Sequence, residues 1–88
     1  MDERTRLRLI DFLDRNGAWP HFVSTQQLML RLDEIDMTAD EFEAAIDELE
    51  EEGVVVTAGR GGAMNGVIPG VTFKNGVHHL RIANSVKR

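Results

Sequence analysis

The sequence predicts an α+β fold: three helices followed by a two- or three-stranded antiparallel β-hairpin. Apolar residues recur with helical spacing in three stretches before residue 53, and short β-branched runs separated by glycine follow that point. The 88 residues suffice for one domain with a modest core. We assign residues 1–84 to this domain and expect residues 85–88 to form a frayed basic tail.

The composition is that of an ordinary globular chain, with 42% hydrophobic and 28% charged residues. No apolar run approaches the roughly 20 residues that a membrane span requires, and no signal-peptide core follows Met1. The absence of cysteine excludes disulfides and thiolate metal sites. We therefore expect a cytoplasmic protein that does not engage a membrane.

The acidic residues are concentrated in one segment. Residues 33–52 contain eleven of the fifteen Asp and Glu residues and no Lys or Arg, which gives this segment a charge of −11. Residues 1–32, with five bases and four acids, carry +1, and residues 53–88, with five bases and no acid, carry +5. Such segregation is either a solvated face or a surface that attracts a charged partner.

The first helix is predicted over residues 2–16, with Asp2 as its cap and Gly17 at its end. Its apolar stripe is formed by Leu7, Ile10 and Leu13, widened by Leu9 and Phe12. Arg4, Arg8 and Arg15 share another face with Asp11, either as an ion-paired solvated face or as a stripe that meets phosphates.

Residues 18–23 are predicted to be an extended connector, because Pro20 biases the preceding Trp19 away from helical geometry. Trp19 and Phe22 are expected to close one end of the core. The alternative is that Trp19 is a surface anchor for a partner, since tryptophan contributes strongly to interfaces. Phe22 and Val23 are compatible with a very short strand.

Two further helices follow, each beginning at a sequence typical of a capping box. The second, over residues 24–32, starts with Ser-Thr-Gln-Gln, and residues 33–37 form a link. The third, over residues 38–53, starts with Thr38 and has Glu41 three residues later, with Gly53 at its end. Its apolar stripe consists of Phe42, Ala45, Ile46 and Leu49.

Strands are predicted for residues 54–58, 69–74 and 77–83, with Asn75-Gly76 as a type I′ hairpin turn between the last two. This turn pairs the strands so that one face is apolar and lies on the core: Val71, Phe73, Leu80 and Ile82. The opposite face carries Thr72, Lys74, His79 and Arg81.

The order of these elements resembles the winged-helix family. The stretch STQQLMLRLDEIDMTADEFEAAIDELEEEGVVV is similar to the helix-turn-helix core of that family running into its β-wing. The resemblance implies DNA contacts from the outer face of the third helix and from Arg60 in the wing. This chain departs from that pattern, because the outward residues of the helix are acidic or small, whereas DNA affinity depends on Lys and Arg at the phosphates.

We therefore predict a non-enzymatic regulatory or adaptor module that binds a protein partner with a basic surface. The binding residues are expected on the acidic third helix: Asp40, Glu43, Asp47, Glu50 and Glu51. The alternative is a transcription regulator that binds DNA without the usual recognition-helix docking, through Arg60, Lys74, Arg81, Lys87 and Arg88. A third interpretation is a dimerising domain that uses the apolar end near Trp19.

No catalytic, cofactor or metal site is expected. His78 and His79 are adjacent on a predicted strand, so they point to opposite faces and cannot grip one metal together. His78 is expected at the edge of the core. The glycine loop GRGGAMNG lacks the Lys and Ser/Thr of a phosphate-binding loop and does not open a helix.

Overall fold

The structure is a computed structural model that describes residues 1–59 and 77–87. Within these residues three α-helices and a three-stranded antiparallel sheet form one compact α+β unit, which confirms the predicted class. The elements are α1 (Glu3–Arg15), β1 (Val23–Ser24), α2 (Thr25–Met29), a 3-10 helix (Leu32–Ile35), α3 (Ala39–Glu51), β2 (Val55–Ala58), β3 (His79–Ile82) and a second 3-10 helix (Asn84–Val86).

The central strand of the sheet is β3, which pairs antiparallel with β1 on one side and with β2 on the other. Leu80 lies opposite both Val23 and Thr57. Leu80 and Ile82 are fully buried, as the predicted core face requires, and His79 is exposed on the other face. The predicted strand over residues 69–74 and the Asn75-Gly76 turn lie outside the described residues.

The buried face of α1 differs from the predicted stripe. Leu9, Phe12 and Leu13 are fully buried, but Leu7 is 55% exposed and its assignment to the core is wrong. The apolar residues of this helix cover too wide an arc for all of them to be buried. The buried arc packs against β3 and the first 3-10 helix, and its Phe12 also contacts Phe42 of α3 edge to face, with ring centroids 6.5 Å apart.

The second helix is shorter than predicted and its capping box is absent. Ser24 is the residue before α2, but its side chain makes no capping hydrogen bond. Ser24 also belongs to β1 and pairs with His79, so the sheet fixes its backbone. The predicted irregular link contains the 3-10 helix, which ends at Asp36 in the left-handed conformation, with φ 55°.

The third helix begins and ends as the sequence predicts. The Thr38 hydroxyl accepts a hydrogen bond from the Glu41 backbone N–H at 3.2 Å, and the Glu41 carboxylate accepts one from the Thr38 N–H at 3.0 Å. The hydrogen bonds from Thr38 lower the pKa of Glu41. Gly53 has φ 79°, a conformation that glycine adopts without strain. The predicted stripe is buried: Phe42, Ala45, Ile46 and Leu49.

Removing the cap of α3 has a measurable cost. We expect Thr38→Ala to lower the free energy of unfolding by about 1 kcal/mol, because one helix N–H loses its acceptor. Ser24→Ala is the matched control and should change stability little, since Ser24 makes no capping bond. Urea denaturation of both variants measures the difference, and equal losses would contradict the capping geometry.

The capping box also predicts a pH dependence. Because the pKa of Glu41 is lowered in the folded chain, its contribution to stability is present above its unfolded-state pKa. That contribution is lost as the pH falls through the lower, folded-state pKa. The stability difference between the native chain and Glu41→Gln should therefore shrink in acid, as urea melts across pH would show.

The two aromatic residues of the connector have different environments. Trp19 packs against the core, and its indole N–H donates to the Asn84 side-chain oxygen at 3.2 Å. Phe22 does not close the core as predicted: it is 42% exposed, and the Arg81 guanidinium lies 5.2 Å from its ring centroid. The Trp19–Pro20 peptide bond is cis.

The chain end packs against the domain up to residue 87. Ser85 and Val86 lie in the second 3-10 helix, which differs from the frayed tail expected there. The Lys87 ammonium is 3.1 Å from the Asp14 carboxylate and 5.5 Å from the ring centroid of Trp19. These two contacts hold the end of the chain to α1 and to the connector.

Candidate functional site

The acidic residues of α3 lie in three stripes along the helix. Opposite the buried stripe is a row that we call the outer stripe, which consists of Asp40, Ala44, Asp47 and Glu51. Asp40, Ala44 and Glu51 are exposed and Asp47 is half-buried. The outer stripe therefore presents three carboxylates on the solvent side of the helix, with no base on α3.

The second stripe faces α1 and contributes to the fold. Glu48 lies 3.2 Å from the N-terminal ammonium of Met1, and the Glu52 carboxylate, just beyond the helix, accepts a hydrogen bond from Arg6 at 2.9 Å. Glu41 closes the capping box. The charges on this side are thus used within the domain, in contacts that attach α3 to α1.

The third stripe faces the sheet and consists of Glu43 and Glu50, both half-buried. The Thr57 hydroxyl donates to the Glu50 carboxylate and so connects α3 to β2. Glu50, predicted as a partner-binding residue, therefore has a contact inside the domain. The structure places Asp40, Asp47 and Glu51 together and puts Glu43 at the edge of their surface.

The sheet-facing side of α3 also contains a recess that the sequence did not predict. It lies between α2 and α3, has a volume of only about 10 Å³, which is room for about one water molecule, and is lined mainly by apolar atoms. Its lining residues are Thr25, Met29, Phe42, Glu43, Ile46, Asp47 and Val77. They come from three separate parts of the chain, so no local motif marks them.

The basic residues that the structure describes after Gly53 are Arg81, in the central strand β3, and Lys87, beyond the second 3-10 helix. The Arg81 guanidinium donates to the Ile82 backbone oxygen at 3.0 Å and to the Asn84 side chain at 3.3 Å. Lys87 is paired with Asp14. Arg60, Lys74 and Arg88, the other predicted nucleic-acid contacts, lie outside the described residues.

The contacts of the α1 arginines favour the interpretation that their helix face is ion-paired and solvated, and not a stripe that meets phosphates. Arg15 donates to Asp11 at 2.9 Å and lies 3.8 Å from Glu34. Arg8 donates to the Ile35 backbone oxygen at 3.0 Å. Arg8 and Arg15, two of the three arginines on this helix face, are thus engaged in contacts within α1 and with the first 3-10 helix.

The described residues offer no group of three or more His, Asp and Glu side chains arranged to hold a metal ion. His79 and His21 are exposed and His78 is half-buried beside Gly59. In the same part of the chain, no helix is long and apolar enough to cross a membrane.

The fold and its surface define a small α+β domain that carries a strongly acidic helix on its outside. A scan of protein-family models found no match to the chain, and searches of curated proteins and of solved structures found no similar protein.

Proposed function

We propose that this chain is a winged-helix-like adaptor or regulatory module that binds a protein partner with a basic surface. The outer stripe of α3 is the contact surface, and no catalysis is involved. The observation that supports this most strongly is the alignment of Asp40, Asp47 and Glu51 on one helix face, within a segment of charge −11. A field of one sign steers an oppositely charged partner and favours its specific docking.

Glu51 provides an independent argument. Negative charge at a helix C-terminus is disfavoured by the helix dipole, by about 0.3–1 kcal/mol per charge when screening is weak. Glu50 and Glu52 have compensating contacts with Thr57 and Arg6. The Glu51 side chain is exposed, and its carboxylate forms no hydrogen bond or ion pair with the described residues. A basic partner would offset a charge that folding does not require.

The same charges oppose the DNA docking that the winged-helix resemblance implies. In that family the third helix enters the major groove, where its neighbours neutralise phosphates. Carboxylates on the outer stripe would repel the phosphates instead. A second candidate function, DNA binding through the basic residues after Gly53, is favoured by Arg81, which has no carboxylate partner among residues 1–59 and 77–87.

The test is the affinity for a short, fluorescently labelled, lysine-rich peptide. We expect the triple variant Asp40→Asn/Asp47→Asn/Glu51→Gln to bind it about tenfold more weakly than the native chain, since each rim charge contributes modestly. Fluorescence anisotropy at several salt concentrations measures this. Binding should also weaken as salt rises.

The matched control removes three exposed carboxylates elsewhere, in Glu3→Gln/Asp33→Asn/Asp36→Asn. Asparagine is chosen at residue 36 because it tolerates the left-handed backbone found there. If the control weakens peptide binding as much as the outer-stripe variant, only net charge matters and the proposed site is wrong. Tight binding of a labelled DNA duplex by the native chain would support the second candidate function.

A further inference from the structure

A groove large enough for a small ligand lies between the end of α1, β1 and α2. Its volume is about 320 Å³, at the lower end of the range for small-molecule sites, which is about 300–1,000 Å³. Its described lining residues are Asn16, Val23, Ser24, Gln27, Leu28 and Arg31. None of these residues belongs to α3, so the groove is separate from the outer stripe.

Arg31 is the charged residue of this lining, and its guanidinium is held in place. Its Nη1 donates to the Asn16 Oδ1 atom at 2.7 Å, and the Asn16 Nδ2 donates to the Phe12 backbone oxygen at 2.8 Å. The Nε–H and Nη2–H groups of Arg31 form no hydrogen bond or ion pair within the described part of the chain. These groups share one edge of the guanidinium, and such a fork matches the two oxygens of a carboxylate.

Ser24 provides two further hydrogen-bond donors to the groove. It lies in β1, an edge strand, and the next residue, Thr25, donates its N–H to the His78 oxygen at 3.0 Å. Because hydrogen-bonded and non-hydrogen-bonded pairs alternate along an antiparallel ladder, Ser24, paired with His79, directs its N–H away from β3. Its hydroxyl makes no capping bond. Both groups can therefore donate to a ligand.

The charge and the apolar part of the lining restrict the kind of ligand. Residues 15–32 contain two arginines and no Asp or Glu, and the described lining includes no carboxylate. A single cation balances a single negative charge, which favours a monoanion over a more highly charged phosphate. Val23 and Leu28 are aliphatic and favour a hydrocarbon beside that charge.

We infer that this groove binds a small carboxylic acid in its ionised form. The carboxylate pairs with the free edge of the Arg31 guanidinium and accepts hydrogen bonds from Ser24, and a short hydrocarbon chain lies against Val23 and Leu28. The inference goes beyond the proposed function and does not depend on it, because the groove and the outer stripe share no described residue.

The test is a titration of the full chain with sodium butyrate at constant ionic strength, followed by NMR. We expect saturable shifts of the methyl groups of Val23 and Leu28 and of the Ser24 amide. Butanol and n-butylammonium have the same hydrocarbon chain without the negative charge, and both should bind several-fold more weakly. Inorganic phosphate, the alternative anion, should also bind more weakly than butyrate.

Three variants and a matched control locate the binding. Arg31→Gln should weaken butyrate binding about tenfold, and Arg31→Lys, which keeps the charge but loses the fork, about threefold. Ser24→Ala should weaken it about threefold without a matching loss of stability. Arg4→Gln makes the same charge change at an exposed position on the first turn of α1 and should leave binding unchanged. If Arg31→Gln does not fold, Arg31→Lys and Ser24→Ala decide the question.

The inference is overturned if the methyl groups of Val23 and Leu28 do not shift, or if butanol shifts them as strongly as butyrate does. It is also overturned if Arg4→Gln weakens binding as much as Arg31→Gln, since the attraction would then be only that of net charge. Tighter binding of phosphate than of butyrate would show that the groove is not a carboxylate site. Failure of the lysine-rich peptide to bind α3 would count against the proposed function alone.

Discussion

Replacing Phe42 with alanine is expected to lower the free energy of unfolding by about 3–5 kcal/mol. Phe42 is fully buried and meets Phe12 edge to face, so its removal leaves a cavity between α1 and α3 and eliminates an aromatic pair. Domains of this kind are stable by only about 5–15 kcal/mol, so the loss is a large part of the total. Urea denaturation followed by circular dichroism measures it.

Leu7→Ala is the matched control for this prediction. Leu7 is 55% exposed on α1, and its truncation should change stability by no more than about 0.5 kcal/mol. A loss at Leu7 comparable to that at Phe42 would show that α1 buries the face predicted from the sequence. The arrangement of α1 against α3 described above would then be wrong.

Reversing the charge of the outer stripe is expected to abolish binding of the lysine-rich peptide and to create binding of a DNA duplex. The variant Asp40→Lys/Ala44→Lys/Glu51→Lys adds five positive charges, two at each carboxylate and one at Ala44, at positions that are all exposed. Binding of the lysine-rich peptide should be lost, since like charges facing each other cost several kcal/mol. Binding of a DNA duplex should appear at low salt. The logarithm of its association constant should then fall with the logarithm of the salt concentration, with a slope of about −0.9 per phosphate contact.

The control for the reversal places the same five charges on other exposed positions, in Glu3→Lys/Gln27→Lys/Asp33→Lys. It should retain most of the peptide affinity and gain less duplex affinity. Fluorescence anisotropy with both labelled ligands compares the two variants. Equal behaviour of the two would mean that the total charge, and not the acidic face of α3, governs binding.

The third helix could be predicted from the sequence because everything that defines it is local. Thr38 and Glu41 are three residues apart, Gly53 follows the last turn, and the buried stripe repeats with the helical period. The second helix could not be predicted in the same way. The capping signal at Ser24 is overridden by strand pairing with His79, a residue distant in sequence, and tertiary pairing outweighs local propensity.

The candidate site, too, could be predicted from the sequence only where it depends on local spacing along α3. The spacing of Asp40, Asp47 and Glu51 places them on one face from the sequence alone. The internal contact of Glu50 with Thr57, in contrast, depends on how β2 packs against α3. The recess had no signal in the sequence, because Thr25 and Val77 meet α3 only through tertiary packing.

The most direct test of the proposed protein-binding surface is to map the lysine-rich peptide onto the native chain by amide chemical shifts. We expect the shifts to be largest over residues 40–51, at the outward positions of α3, and to disappear in high salt. Shifts that are concentrated at Arg81 and Lys87 instead, or that spread evenly over the chain, would contradict the assignment of the binding surface to the acidic helix.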